Sequence, residues 1–223
     1  MTATPRVRLD VWSDYVCPFC YLELPQLARL QEEFGDRIAI EWHAFELRPE
    51  PTPTLDPAGD YLRRTWDRAV YPLAAEYGMV LRLPPVQPRS RLALEAAEFA
   101  REHDRFEAFH LAVFQAFFEE GRDIGDLAVL TDLARRVGLD AQALERNLVA
   151  GDYSDLVLHA EDRAEALGIT AVPTLLLRSA QAPIEAAQAL DGALPFEQLV
   201  TVVRTQLDAS AAPPVQVPET APR

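Results

Sequence analysis

The chain contains no lysine, so all 21 of its basic residues are arginine, and 35 acidic residues outnumber them. The resulting formal net charge of −14 argues against nucleic acid, whose phosphates attract basic surfaces, and against an anionic membrane. Long apolar runs are also lacking, since no stretch approaches the ~20 apolar residues that cross a bilayer. We therefore expect neither nucleic acid nor a membrane among the partners.

Cysteine is scarce as well, because the 223 residues include only two. The first ten residues lack the basic and then apolar pattern of a secretory signal, so we expect a cytoplasmic protein. Thiols stay reduced in that compartment, where a solitary pair is more often reactive than structural. A zinc site usually needs four ligands, and no metal is expected because the histidines show no paired spacing. The histidines are His43, His103, His110 and His159.

The two cysteines lie together in the segment Cys17-Pro18-Phe19-Cys20, between a predicted strand and a predicted helix. A thiol at a helix N-terminus meets the positive end of the helix dipole and free backbone N–H groups, which favour the reactive thiolate. Pro18 falls in the first helical turn, where its missing N–H costs little. A static disulfide or two buried thiols is the alternative, but a strand–CxxC–helix setting favours redox chemistry.

The segments around the cysteines follow a strand–helix–strand order. Alternating apolar and polar residues predict a strand over residues 6–12. Apolar residues at helical spacing predict a helix over residues 18–34, which Gly35 ends. β-Branched and aromatic residues predict a second strand over residues 38–45. Such a unit with CxxC at its first helix is typical of a thioredoxin-like fold.

The long middle of the chain is predicted to be helical. A proline-rich loop precedes a helix over residues 60–77, and a second proline-rich break follows it. The phenylalanines from Phe106 to Phe118 recur at helical spacing, which indicates a buried stripe rather than a ligand-binding cluster. Further helices are predicted over residues 90–100, 103–120, 126–137, 140–149 and 153–167.

Strands return at residues 174–178 and 183–190, and a helix over residues 195–207 closes the fold. The fold class predicted is therefore α/β, a thioredoxin fold with a large all-helical insertion between its βαβ and ββα halves. The expected parts are a thioredoxin-like domain over 1–60 and 168–207, a helical cap over 61–167, and a flexible tail over 208–223.

A proline stands immediately before the first returning strand. Proline cannot donate a hydrogen bond within a central ladder, so we expect Pro173 at the first residue of the strand or in a turn. Taken alone, the Val172–Pro173 bond is expected to be trans, the usual state of an X–Pro bond.

Several short segments of the chain match one known family. They are Ser13-Asp14, Cys17-Pro18-Phe19-Cys20-Tyr21, residues 45–49 and 90–94, Glu98-Phe99-Ala100, residues 117–124, 138–140 and 168–174, and Gly192-Ala193. On these segments the chain resembles the DsbA-type proteins of the thioredoxin superfamily, and within them the FrnE-like cytoplasmic branch. The resemblance covers nearly everything except the C-terminal tail.

The resemblance implies a protein disulfide oxidoreductase or isomerase. In that family Cys17 would be the exposed nucleophile and Cys20 the partly buried resolving thiol. Pro173 would be cis and would pack beside the disulfide. The backbone of Val172 would pair with an extended protein or peptide substrate that carries thiols or disulfides.

Three residues depart from the family's pattern, namely Phe19, Val11 and Ala171, the last of which stands where relatives often have glycine. The spacer between the cysteines, Pro18-Phe19, tunes the redox couple, and Phe19 can donate neither a hydrogen bond nor a positive charge to Cys17. The helix terminus must therefore supply more of the thiolate's stabilisation. Val11 stands where many relatives carry a buried carboxylate six residues before the first cysteine. The acids that could assist Cys20 instead are Asp10, Asp14 and Glu41.

Two other functions compete with this interpretation. A glutathione-dependent isomerase or a kappa-class glutathione transferase-like enzyme shares the fold and the insertion, but such relatives typically carry serine in place of Cys17. A chaperone that holds unfolded chains in the groove of its cap is a further alternative. We expect no bound cofactor beyond the redox-active pair, with glutathione or another low-molecular-weight thiol as a reaction partner.

Overall fold

Among residues 4–210, which the computed structural model describes, four strands form one mixed sheet. They are β1 (Val7–Ser13), β2 (Ile38–Ala44), β3 (Thr174–Ser179) and β4 (Gln188–Asp191). The order across the sheet is β2-β1-β3-β4. Strand β2 pairs parallel to β1, while β3 is antiparallel to both β1 and β4. The central strand β1 thus pairs with one strand from the N-terminal part of the chain and one from the C-terminal part.

Helices surround this sheet and fill the middle of the chain. They are α1 (Pro18–Phe34), α2 (Asp60–Thr65), α3 (Tyr71–Glu76), α4 (Arg91–Glu102), α5 (Phe106–Phe118), α6 (Leu127–Arg136), α7 (Ala141–Ala150), α8 (Ser154–Ala166) and α9 (Phe196–Ala209). A π-helical turn, Trp66–Val70, links α2 to α3 without a break. In the part of the chain that the structure describes, none of the helices is long and apolar enough to cross a membrane.

The alternation along β1 places its side chains in two different cores. Val7, Leu9 and Val11 are fully buried and pack with α1 and α9 on one face of the sheet. Trp12 points to the other face, where it packs with Ala164 of α8. A strand covered on both faces is held firmly in place, which fixes the position of the cysteines that follow it.

The predicted phenylalanine stripe forms the centre of the helical core, as expected. Phe109, Phe114, Phe117 and Phe118 of α5 are all at most 1% exposed. The ring of Tyr21, the residue after Cys20, stacks on Phe114 at 5.3 Å and on Phe118 at 5.8 Å between centroids. The inserted helices therefore pack directly on the first turns of α1.

Two predicted elements differ from the observed ones in the middle of the chain. The predicted helix over residues 103–120 begins only at Phe106, because Asp104 adopts a left-handed φ of 56° and turns the chain. The predicted helix over residues 60–77 contains the π-helical turn, which sequence spacing does not reveal.

The C-terminal half shows two further differences. Residues 183–190 were expected to form one strand, but Pro183 precedes a 3₁₀ turn over Ile184–Ala186, and only Gln188–Asp191 pairs with β3. Helix α9 continues to Ala209, so the first residues of the expected tail are helical. The rest of that predicted tail, residues 211–223, lies outside the described residues.

The contact between α5 and α1 predicts a large loss of stability when it is removed. Phe114→Ala should lower the free energy of unfolding by about 3–5 kcal/mol, because a buried ring is replaced by a cavity. Leu111→Ala on the same helix is the matched control, since Leu111 is 42% exposed. Urea denaturation checks both variants, and equal losses would contradict a core centred on Phe114.

Candidate active site

Cys17 occupies the N-cap of α1, and Pro18 takes the first helical position, as the sequence predicts. The N–H of Cys17 donates to the carbonyl of Asp14 at 3.1 Å, and the N–H of Cys20 donates to the carbonyl of Cys17 at 3.2 Å. These bonds fold the motif into a tight turn. The Cys17 sulfur therefore lies at the positive end of the helix dipole. Both cysteines are present as free thiols.

The loop before β3 meets this helix terminus. The Val172–Pro173 peptide bond is cis, the state that the family resemblance implies. The Cys17 thiol donates to the carbonyl of Val172 at 3.4 Å. The loop is held from behind, because the N–H of Gly192 donates to the carbonyl of Pro173 at 2.9 Å. The structure thus brings together the two predicted halves of the site.

Cys17 is more enclosed than expected. The resemblance implied an exposed nucleophile, but Cys17 is only 4% exposed, and Cys20 is fully buried. The reason is that Cys17 packs in the core that the inserted helices build. It also lines a cavity of about 250 Å³ whose wall includes Trp66 and Leu62 of the insertion. A substrate sulfur must therefore approach Cys17 through this cavity or along the Val172 loop.

The surroundings of Cys20 favour its neutral thiol. Burial raises the pKa of Cys20 well above that of a free cysteine, and the adjacent Cys17 thiol raises it further. The backbone of Asp14 and the hydroxyl of Ser13 act in the opposite direction. Cys20 therefore holds its proton until the electrostatics of the site change, as when Cys17 becomes bonded to another sulfur.

Two of the three candidate acids are committed elsewhere. Asp10 is buried, which would raise its pKa, but bonds from His43 at 3.0 Å and Arg178 at 2.9 Å hold the pKa below its usual value. Glu41 is exposed and pairs with Arg8 at 3.0 Å. Neither carboxylate is bonded to the cysteine turn.

Asp14 does contact the cysteine turn. Its carboxyl accepts hydrogen bonds from the N–H groups of Val16 at 3.2 Å and Leu47 at 2.7 Å. Burial raises the pKa of Asp14 to about 6 in spite of these bonds. The carboxyl ties the turn before Cys17 to the loop after β2, so Asp14 is a positioning residue for the nucleophile.

A fourth acid, Glu23, was missed by the sequence analysis. It lies one turn after Cys20 on α1 and is fully buried. One carboxylate oxygen accepts from the N–H of Leu194 at 2.8 Å, whereas the other has no partner among residues 4–210. Burial raises the pKa of Glu23 to about 8. Only its spacing from Cys20 could have indicated it, because a lone Glu between leucines in a helix usually faces solvent.

The described residues offer no alternative centre for metal chemistry. Within residues 4–210, no cluster of three or more His, Cys, Asp or Glu side chains is arranged to hold a metal ion. His110 is fully enclosed, and burial lowers its pKa to about 3. Its ring accepts or donates a hydrogen bond with the Tyr15 hydroxyl at 2.8 Å, which makes it part of the core.

Comparison with known proteins agrees with the thioredoxin-like fold described above. The family model described as a DSBA-like thioredoxin domain matches residues 8–204. The uncharacterized protein YwbO of Bacillus subtilis (strain 168) is 39% identical over 176 residues, which are 77% of this chain and 86% of YwbO.

Solved structures with the same fold include an oxidoreductase and an isomerase. A probable DsbA oxidoreductase of Streptomyces coelicolor is 26% identical, with a TM-score of 0.72 over 96% of this chain and 94% of that one. A 2-hydroxychromene-2-carboxylate isomerase is 18% identical, with a TM-score of 0.65 over 89% of this chain and 93% of its own. The latter likeness shows the fold alone.

The buried Glu23 predicts a stability that depends on pH. Unfolded, this carboxyl titrates near its ordinary pKa of 4.5, but in the folded protein it keeps its proton up to about pH 8. The folded state is then the one that holds more protons, so stability falls as pH rises through that window. Glu23→Gln removes this loss, which amounts to about 1.4 kcal/mol for each pH unit.

Urea denaturation at a series of pH values measures this effect. The stability of Glu23→Gln relative to the native protein should rise between about pH 4.5 and 8 and stay constant above. Glu32→Gln is the control, because Glu32 is exposed on the same helix. If the native and Glu23→Gln profiles ran parallel, Glu23 would be an ordinary ionised carboxylate.

Proposed function

Because this chain belongs to the DSBA-like thioredoxin domain family and is a thiol–disulfide oxidoreductase, we propose that it works through Cys17 and Cys20 beside the Val172–Pro173 loop. The observation that carries the proposal is the 3.4 Å hydrogen bond from the Cys17 thiol to the Val172 carbonyl. It joins a thiol at a helix N-terminus to a loop that can hold a substrate backbone. These are the two parts that disulfide exchange at a protein surface needs.

In the reducing direction, the Cys17 thiolate attacks one sulfur of a substrate disulfide. The Cys17–substrate bond forms, the substrate S–S bond breaks, and the released thiolate takes a proton from water. Cys20 then loses its proton and attacks the Cys17 sulfur. The Cys17–Cys20 bond forms, a second substrate thiol leaves, and two electrons have passed from the pair to the substrate.

The same steps serve oxidation and isomerisation. In the oxidising direction a substrate thiolate attacks Cys17, the Cys17–Cys20 bond breaks, and Cys20 leaves and takes a proton. A second substrate thiolate then attacks the substrate sulfur of the mixed disulfide, so the substrate disulfide forms, Cys17 is released, and the pair gains two electrons. In isomerisation another substrate thiol resolves the mixed disulfide in place of Cys20, so no net electrons move. Cys20 does not compete with Cys17 for the substrate, since its raised pKa keeps it protonated while Cys17 attacks.

The loop and the spacer shape this exchange. The backbone of Val172 is proposed to pair with an extended protein or peptide segment, so that the substrate sulfur is aligned with Cys17. Phe19 is half-buried in the cavity wall and presents only apolar atoms to Cys17. Pro18 and Phe19 are therefore proposed to set the redox couple without adding charge.

The competing glutathione-dependent isomerase would activate the thiol of glutathione instead of its own. The shared fold with the 2-hydroxychromene-2-carboxylate isomerase does not separate the two functions. The pair of thiols favours disulfide exchange, because a second cysteine behind the first has no role in that isomerase chemistry. We place the exchange in the cytoplasm, where a lone cysteine pair is more often reactive than structural.

Serine variants of the two cysteines test the proposal. Cys20→Ser should accumulate a mixed disulfide between Cys17 and a disulfide-bearing peptide, because the resolving thiol is gone. Cys17→Ser should form no adduct and should lose disulfide exchange down to the uncatalysed background. Mass spectrometry under non-reducing conditions and a turbidity assay of insulin reduction measure the two effects.

The same variants identify the alternative. Glutathione-dependent isomerase turnover that survives Cys17→Ser would overturn the redox proposal. Suppression of aggregation that persists in the double serine variant, with no exchange in the native protein, would instead indicate a chaperone.

A further inference from the structure

The cavity beside Cys17 has an unusual charge for this protein. Its lining contains Arg48 and Arg89 and, among the described residues, no acidic side chain. In the whole chain, by contrast, 35 acidic residues outnumber 21 arginines. Two arginines at a wall without a single acid therefore make a local positive region in a strongly negative molecule.

Neither arginine is fully occupied by partners within the protein. Arg89 donates to the carbonyl of Arg48 at 2.7 Å and lies 3.4 Å from the carboxylate of Glu50, which is exposed to water. Arg48 donates to the carbonyl of Pro53 at 3.2 Å and has no carboxylate partner among residues 4–210. Since a guanidinium carries five N–H donors, both side chains keep donors for a ligand.

The same wall includes the N-terminus of α4. Ser90 occupies the N-cap position, is 1% exposed and lines the cavity. Its hydroxyl lies beside the Asp14 carboxyl and helps to lower the pKa of that group, so it is engaged on that side. Among the described residues, no side chain caps the first N–H groups of α4. An uncapped helix N-terminus next to two arginines favours an anion.

The rest of the cavity is apolar and small. Leu55, Leu62, Trp66 and Phe118 line it opposite the arginines. Its volume of about 250 Å³ is at the lower end of the range for small-molecule pockets. The π-helical turn that begins at Trp66 is a feature that recurs at functional sites. A small ligand with an apolar body and a carboxylate fits this combination.

We propose that this cavity is the subsite for a small disulfide or thiol that carries carboxylates, with its sulfur at Cys17 and a carboxylate at Arg48 and Arg89. The inference rests on the proposed function and names its substrate class. Reaction with such a disulfide follows the steps above. Cys17 and Cys20 become joined, two small acidic thiols are released, and the two electrons of the pair reduce the disulfide.

Two disulfides of equal backbone provide the test. 3,3′-Dithiodipropionate carries two carboxylates on short apolar chains, and its diethyl ester carries none. Long-range repulsion by a chain of net charge −14 disfavours the acid, whereas the ester is neutral. The subsite predicts the reverse order for the reduced protein. Stopped-flow tryptophan fluorescence gives both rate constants, each divided by the rate constant of the same disulfide with 2-mercaptoethanol.

We expect the corrected ratio of acid to ester to exceed one in the native protein. The ratio should fall about tenfold in an Arg48→Gln/Arg89→Gln variant, because the carboxylate loses its charged hydrogen bonds. Arg8→Gln/Arg204→Gln removes two charges from other parts of the surface and should keep the native ratio.

Each outcome decides the inference. A ratio below one in the native protein overturns the subsite and leaves the proposed function standing, and that measurement needs no variant to fold. An equal fall of the ratio in both double variants would mean that only net charge matters, which also overturns it. Absence of reaction with either small disulfide, in a protein that still reduces insulin, would overturn the subsite and leave the proposed function standing.

Discussion

The pairing of β1 with β3 is the constraint on which the rest of the structure depends. Its register sets Trp12 opposite Thr174. Cys17 follows Trp12 by five residues, and Val172 precedes Thr174 by two, so the pairing brings the helix terminus and the loop to the same edge of the sheet. A register slip would turn the side chains of β1 to the wrong face and separate the two, because side chains alternate with a period of two. The site is therefore built by the central strand.

The inserted helices alter the site that this sheet creates. A thiol at a helix N-terminus on an uncovered sheet would face solvent, whereas here Phe114 and Phe118 stack on Tyr21 and bury the first turns of α1. Burial makes the environment of Cys20 apolar enough to keep its proton. The same helices form one wall of the cavity that Cys17 lines. Access to the nucleophile and the order of attack thus follow from one packing contact.

Local sequence patterns predicted the ends and the buried faces of the helices. They did not predict the burial of side chains that depends on contacts with distant parts of the chain. Pro18 and Gly35 mark the two ends of α1 in the sequence because their backbone preferences act locally. The phenylalanine spacing likewise predicted the buried face of α5. The exposure of Cys17 was predicted wrongly, since it depends on how the inserted helices pack far along the chain. Glu23 was missed for the same reason, because its burial comes from a loop that follows β4.

The buried acid on α1 lies beyond the cysteines, at position 23, and not before them at position 11. Val11 packs in the apolar core between the sheet and α1, so a charge there would lack a partner. Glu23 instead lies one turn beyond Cys20, where its unpartnered oxygen and raised pKa leave it protonated near neutral pH. Its bond to Leu194 supports the loop whose Gly192 holds Pro173. Loss of the Glu23 proton would place a buried charge on the helix that carries both cysteines, so the folded state loses stability as the pH rises toward the pKa of Glu23.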